Sequence, residues 1–106
     1  MLTIGDVIEL TVDIPDHKLL AGMQGAIVHC HNEDAYEIEF TDDNGETLDF
    51  LALRPEQFIV VWHAATQQWV PVVEQVASLT ANLPAESAQE ILDFARFLSA
   101  RRQQRV

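Results

Sequence analysis

The chain has little of what would cross-link it, embed it or make it basic. It holds one cysteine, Cys30, so no internal disulfide can form, and a lone thiol fits a reducing compartment. No apolar run approaches the roughly 20 residues that span a bilayer. The N-terminus lacks the basic, apolar and small-residue succession of an export signal, so the expected location is the cytoplasm. Bases are the sharpest shortage: six Lys and Arg stand against 17 Asp and Glu, for a net charge of −11. In residues 1–60 only Lys18 and Arg54 oppose thirteen acids, whereas residues 61–106 balance four acids with Arg96, Arg101, Arg102 and Arg105. An acidic surface repels polyanions, and phosphate contacts are the main source of nucleic-acid affinity. The same field attracts a basic partner, although solubility alone would also account for the acids.

Glycine and proline number four each, and most of them punctuate strand patterns. Tyr36, Ile38 and Phe40 alternate with Glu37 and Glu39, the period of a strand with one wet face. Ile8, Leu10 and Val12 share one face of a first strand, which Pro15 ends. Gly22 and Gly25 bracket a turn into Ala26–Cys30. Asn44-Gly45 is predicted to supply both positive-φ positions of a tight hairpin turn. Thr47–Leu53 is apolar on both faces: Leu51 and Leu53 point one way, Leu48, Phe50 and Ala52 the other. Its second face therefore needs a cover, either the C-terminal helices or another chain. A single helical turn at residues 54–57 and a closing strand, Phe58–Trp62, complete the pattern. Short strands with glycine turns bury little as a flat sheet, which predicts closure into a small barrel.

Residues 63–70 read as a connector, with Trp62 and Trp69 packed at the junction of barrel and helices. Pro71 opens a helix bearing Val72, Val76, Leu79 and Leu83, and Pro84 ends it and opens a second. Glu86 complements the N-terminal dipole of that helix; Arg101, Arg102 and Arg105 complement its C-terminal end. Ala88, Ile91, Leu92, Phe94, Ala95, Phe97 and Leu98 span about 220° of its circumference at 100° per residue. One covered surface needs a stripe of little more than 100°. The second helix is thus expected to touch two things: the first helix and the barrel, or a second copy of the chain.

Three constellations invite chemistry. His29 and His31 share a strand face while Cys30 points away; two ligands fall short of a structural zinc site unless His17 or His63 joins them. Asp42-Asp43-Asn44-Gly45-Glu46 looks like a calcium loop, but an EF-hand loop with its glycine at position six would begin at Phe40, which is no acid. Neither a Ser/His/Asp spacing nor the mid-strand Cys30 points to catalysis. No metal and no cofactor are expected.

Residues 1–60 resemble a bacterial family of uncharacterised small SH3-like barrels, common in cyanobacteria. The likeness rests on Asp13-Ile14-Pro15, the stretch from Gly22 to Val28, Tyr36-Glu37-Ile38-Glu39-Phe40, Asn44-Gly45, and Leu51-Ala52-Leu53-Arg54. Lys18 stands where that family usually has glycine. The tail, Leu83-Pro84-Ala85-Glu86 followed by Ile91–Leu98, resembles helices of small antitoxin-like proteins. The resemblances imply a partner-binding member of a two-gene module and no reaction.

The expected architecture is therefore α+β: an SH3-like five-stranded antiparallel barrel (residues 1–62), a connector (63–70) and a two-helix hairpin (71–106). The expected function is a non-enzymatic protein-interaction module that binds a basic protein partner. Glu37, Glu39, Asp42 and Asp43 would supply charge, Phe94, Phe97 and Leu98 apolar contact, and the C-terminal helices would join copies of the chain. The alternative is a nucleic-acid-binding barrel acting through Arg101, Arg102 and Arg105.

Overall fold

The computed structural model describes residues 2–103. Strands β1 (Val7–Leu10), β2 (Gln24–Asn32), β3 (Ala35–Thr41), β4 (Thr47–Leu53), β5 (Phe58–His63) and β6 (Gln68–Trp69) precede helices α1 (Val72–Ala81) and α2 (Ala85–Gln103). Short 3-10 turns occupy Pro15–His17 and Pro55–Gln57. The fold is α+β, with the five expected strands and the C-terminal helical hairpin in place. A sixth strand, β6, lies within the segment read as a connector.

The expected barrel closure is not formed. The strands pair antiparallel in the order β4-β3-β2-β1-β5-β6, an open sheet. The side of β5 that closure would use is taken, because β6 pairs with its end through Trp62–Trp69 and His63–Gln68. Helix α1 packs against the same strand. Register shifts after Val7, Ile27, Cys30 and Phe40 add bulges to the ladders, and bulges increase strand twist and bend. Ile8, Leu10, Ile27, Ile38, Phe40, Leu53 and Phe58 form one buried cluster, and Leu19, from the β1–β2 loop, joins it. Val12, beyond the end of β1, is exposed rather than joining Ile8 and Leu10.

Two glycine expectations are corrected. Gly25 lies inside β2, not in a turn. A Cβ there would sit 2.7 Å from Ile38 Cγ2 and 2.9 Å from the Glu39 carbonyl oxygen, so close strand approach is what requires glycine. In the β3–β4 loop only Gly45 has positive φ, at 81°; Asn44 does not. The Gly45 N–H donates to the Asp42 carbonyl and the Asp42 N–H to the Glu46 carbonyl. The Asp42 Oδ1 accepts from the N–H groups of Asn44 and Glu46 at 2.8 and 3.0 Å. The acid side chain thus holds a wider turn than the two-residue type that Asn-Gly signals.

The molecule is elongated, 48 × 29 × 29 Å, with a radius of gyration of 16.1 Å. A compact chain of this length would have about 13 Å. Helix α2, with 19 residues against 10 in α1, outruns α1. Pro71 caps α1 one position before its first helical residue.

Candidate functional site

Buried polar chemistry is concentrated at Asp6, which is wholly inaccessible. Its Oδ2 accepts the Thr3 N–H at 3.0 Å, and its Oδ1 accepts the Thr3 hydroxyl at 3.1 Å and the Ala64 N–H at 2.9 Å. His63 Nδ1 lies 3.9 Å from Oδ2. Burial alone would raise the Asp6 pKa; the Thr3 and Ala64 N–H groups, the Thr3 hydroxyl and His63 outweigh it and hold the carboxyl below its usual value. Asp6 therefore clamps the N-terminal segment to the β5–β6 hairpin. Its role is structural, and nothing in the sequence sets it apart from the other acids of residues 1–60.

The outer face of the sheet is different in kind. Residues opposite one another across a ladder share a face. Glu39 pairs with Phe50 and Glu37 with Ala52; on the other side, Glu39 pairs with Ala26 and Glu37 with His29. The expected two-faced character of β4 is present, but nothing among the described residues covers its second face: Leu48 and Phe50 are each 52% exposed. The helices lie at the other end of the strand order, α1 on β5 and α2 on α1. The result is an apolar patch on an edge strand, bordered by two glutamates. Both glutamates are half-buried and already engaged: the Thr47 hydroxyl donates to Glu39 Oε2 at 2.5 Å, and His31 Nε2 lies 3.2 Å from Glu37 Oε2. Asp43 is exposed near them in sequence, while Asp42 is committed to its turn.

On the opposite strand face, His17 Nδ1 and Asp49 Oδ2 stand 2.6 Å apart and tie the β1–β2 loop to β4. His29 and His31 do share a face, with ring centroids 4.7 Å apart. Among the described residues, no three His, Cys, Asp or Glu side chains are placed to hold a metal ion.

The second candidate surface is helical. In α2, Phe94, Phe97, Leu92 and Leu98 are exposed by 59, 56, 44 and 38%. Phe94 stacks on Phe97 at 6.1 Å, and the Arg101 guanidinium lies over Phe97 at 5.7 Å. Arg105, expected to join Arg101 and Arg102, lies outside the described residues. Helix α1 presents Val72, Val73, Val76 and Leu79 to solvent, while Glu74, Ser78 and Asn82 line a 360 Å³ cleft against β5. Trp69, expected to be packed at the junction, is 65% exposed. The structure thus separates the predicted residues into two surfaces: Glu37 and Glu39 on the sheet, and Phe94, Phe97 and Leu98 on the arm. Leu48, Phe50, Trp69 and the α1 valines belong to these exposed surfaces, although sequence reading did not choose them. The signal for β4 was its apolarity on both faces.

Among the described residues, no helix is long and apolar enough to cross a membrane. A family model described as a domain of unknown function (DUF4926) matches residues 4–60. No curated protein and no solved structure matches the chain.

Proposed function

The chain belongs to the DUF4926 family, and we propose that it is a non-enzymatic protein-interaction module, acting in the cytoplasm as the partner-binding member of a two-gene pair. The observation that carries this reading is the uncovered outer face of β4. Leu48 and Phe50 stand in water beside Glu37 and Glu39. Exposed apolar surface next to like charge suits a partner segment that alternates apolar and basic side chains. β4 is also an edge strand, so its free backbone groups can extend the ladder into an added strand. The strand order β4-β3-β2-β1-β5, with a 3-10 turn directly before β5, supports an SH3-like ancestry for the sheet. The Leu83–Leu98 likeness to antitoxin helices supports the two-gene setting. The exposed faces of α1 and α2 are the surface through which copies associate.

The test is co-expression with the tagged product of the adjacent gene, followed by purification at low and high salt. A stable complex that Phe50→Ser and Glu39→Lys each abolish is the expected result. Retention of DNA or RNA that falls with salt and depends on Arg101 and Arg102, with no protein complex, would overturn it.

A further inference from the structure

The exposed α2 arm identifies its own occupant. The chain exposes 7714 Å², whereas a compact monomer of 11.9 kDa exposes about 6,000 Å². The difference, about 1,700 Å², exceeds the ~800 Å² that each partner buries in a standard interface and falls in the range of obligate dimers. Helix α2 is nine residues longer than α1, its neighbour in the hairpin. An isolated stretch that short is a marginal helix in water; side-chain packing must come from elsewhere.

Charge along α2 is segregated. Glu86, Glu90 and Asp93 occupy its first half, and Arg96, Arg101 and Arg102 its second, with Phe94 at the change of sign. Glu86, Glu90, Phe94, Phe97 and Arg101 follow 4, 4, 3, 4 spacing and so share one face. We propose that α2 pairs antiparallel with α2 of a second copy, with the two-fold axis beside Phe94. This rests on the reading of the helices as the self-association surface and adds its orientation. Antiparallel pairing about that axis sets Glu86 opposite the second copy's Arg101 and Glu90 opposite its Phe97, with the two Phe94 rings side by side at the centre. Parallel pairing would set acid on acid and base on base. The sheets decide the same way. The excess charge of −11 lies in residues 1–60, near the start of α2, where Asn82 and Leu83 line a cleft with Thr11, Val12 and Glu56. Antiparallel arms hold the two acidic sheets at opposite ends of a helix about 28 Å long. That is several screening lengths at physiological salt, whereas parallel arms would hold them side by side.

Single cysteines introduced into a Cys30→Ala background test the orientation, with mass in solution read by light scattering. The proposal expects a dimer in which Asp93→Cys cross-links to itself. Glu86→Cys and Arg101→Cys should each stay uncross-linked alone and cross-link when mixed. Phe94→Ser with Phe97→Ser should raise the dimer Kd at least ~100-fold and leave the sheet's melting behaviour in place. A dimer in which Arg101→Cys links to itself overturns the antiparallel arrangement and leaves self-association standing. A monomer at every concentration overturns both.

Discussion

Asp6 offers a direct energetic test of the fold, because it binds residues distant in sequence and carries a depressed pKa. Asp6→Asn keeps the shape and removes the charge. The amide oxygen, in the Oδ1 position, can still accept the Ala64 N–H and the Thr3 hydroxyl, but the NH₂ group then faces the Thr3 N–H that Oδ2 now satisfies. Losing charge-assisted bonds and leaving a buried donor unmatched costs about 2 kcal/mol. With an unfolding entropy of about 2.1 cal/mol/K per residue, that lowers Tm by roughly 9 °C at pH 7. The pH dependence has a definite sign. The folded pKa lies below the unfolded value, so the ionised carboxylate's contribution is complete above the unfolded pKa and vanishes as pH falls through the folded one. The parent and Asp6→Asn should therefore differ most near neutrality, and the gap should narrow once pH falls below the unfolded carboxyl's pKa of about 3.9. Guanidinium titrations of both proteins at pH 7, 5 and 3, followed by Trp fluorescence, measure the gap. The other acids titrate in both proteins and cancel in the difference. A gap unchanged between pH 7 and pH 3, or none at pH 7, would refute the clamp.

Two backbone predictions follow. Gly25→Ala drives a methyl group against Ile38 Cγ2 and the Glu39 carbonyl and should cost about 1–3 kcal/mol, read as a Tm loss of roughly 4–13 °C; Gly45→Ala, which meets open space at φ 81°, should cost only about 1 kcal/mol, and equal effects would show that crowding at Gly25 is not the constraint. Lys18 holds a left-handed backbone, φ 58°, so Lys18→Gly should stabilise by about 0.5 kcal/mol and raise Tm by roughly 2 °C, and a lowered Tm in thermal melts would contradict the strain.

Local pattern made most elements legible. Tyr36–Phe40 and Thr47–Leu53 announced β3 and β4 through alternation and an intervening turn, and Pro71 and Pro84 marked both helix starts to within a residue. Non-local choices were not legible. Whether a meander closes depends on what competes for β5, and the competitor, Gln68–Trp69, is two residues long and carries no periodicity. The turn after β3 was mistyped because the Asn-Gly signal ignores the side chain of Asp42, which selects the wider loop. The candidate site was half legible. The 220° stripe on α2 showed that one neighbour would not cover it, and the structure leaves Phe94 and Phe97 bare. The outward turn of α1 was hidden, because Val72, Val76 and Leu79 make the same stripe whether it faces core or solvent.

The separation of the two surfaces yields opposite responses to salt. Residues 1–60 carry all the excess charge, and the arm is nearly neutral. Self-association through α2 buries apolar side chains, which salt does not weaken, while it brings together two bodies of like charge, whose repulsion salt screens. Its affinity should therefore hold or rise between 50 and 500 mM salt, with the Glu86–Arg101 pairs too exposed to reverse the trend. Binding of a basic partner at Glu37, Glu39 and Phe50 draws on long-range attraction to the acidic sheet, so its association rate should fall over the same range while its apolar anchor limits the change in dissociation. Sedimentation for the dimer and stopped-flow for the complex measure the two trends separately. If both affinities fall together with salt, charge holds the arms together as well, and the assignment of apolar pairing to α2 and electrostatic capture to the sheet is wrong.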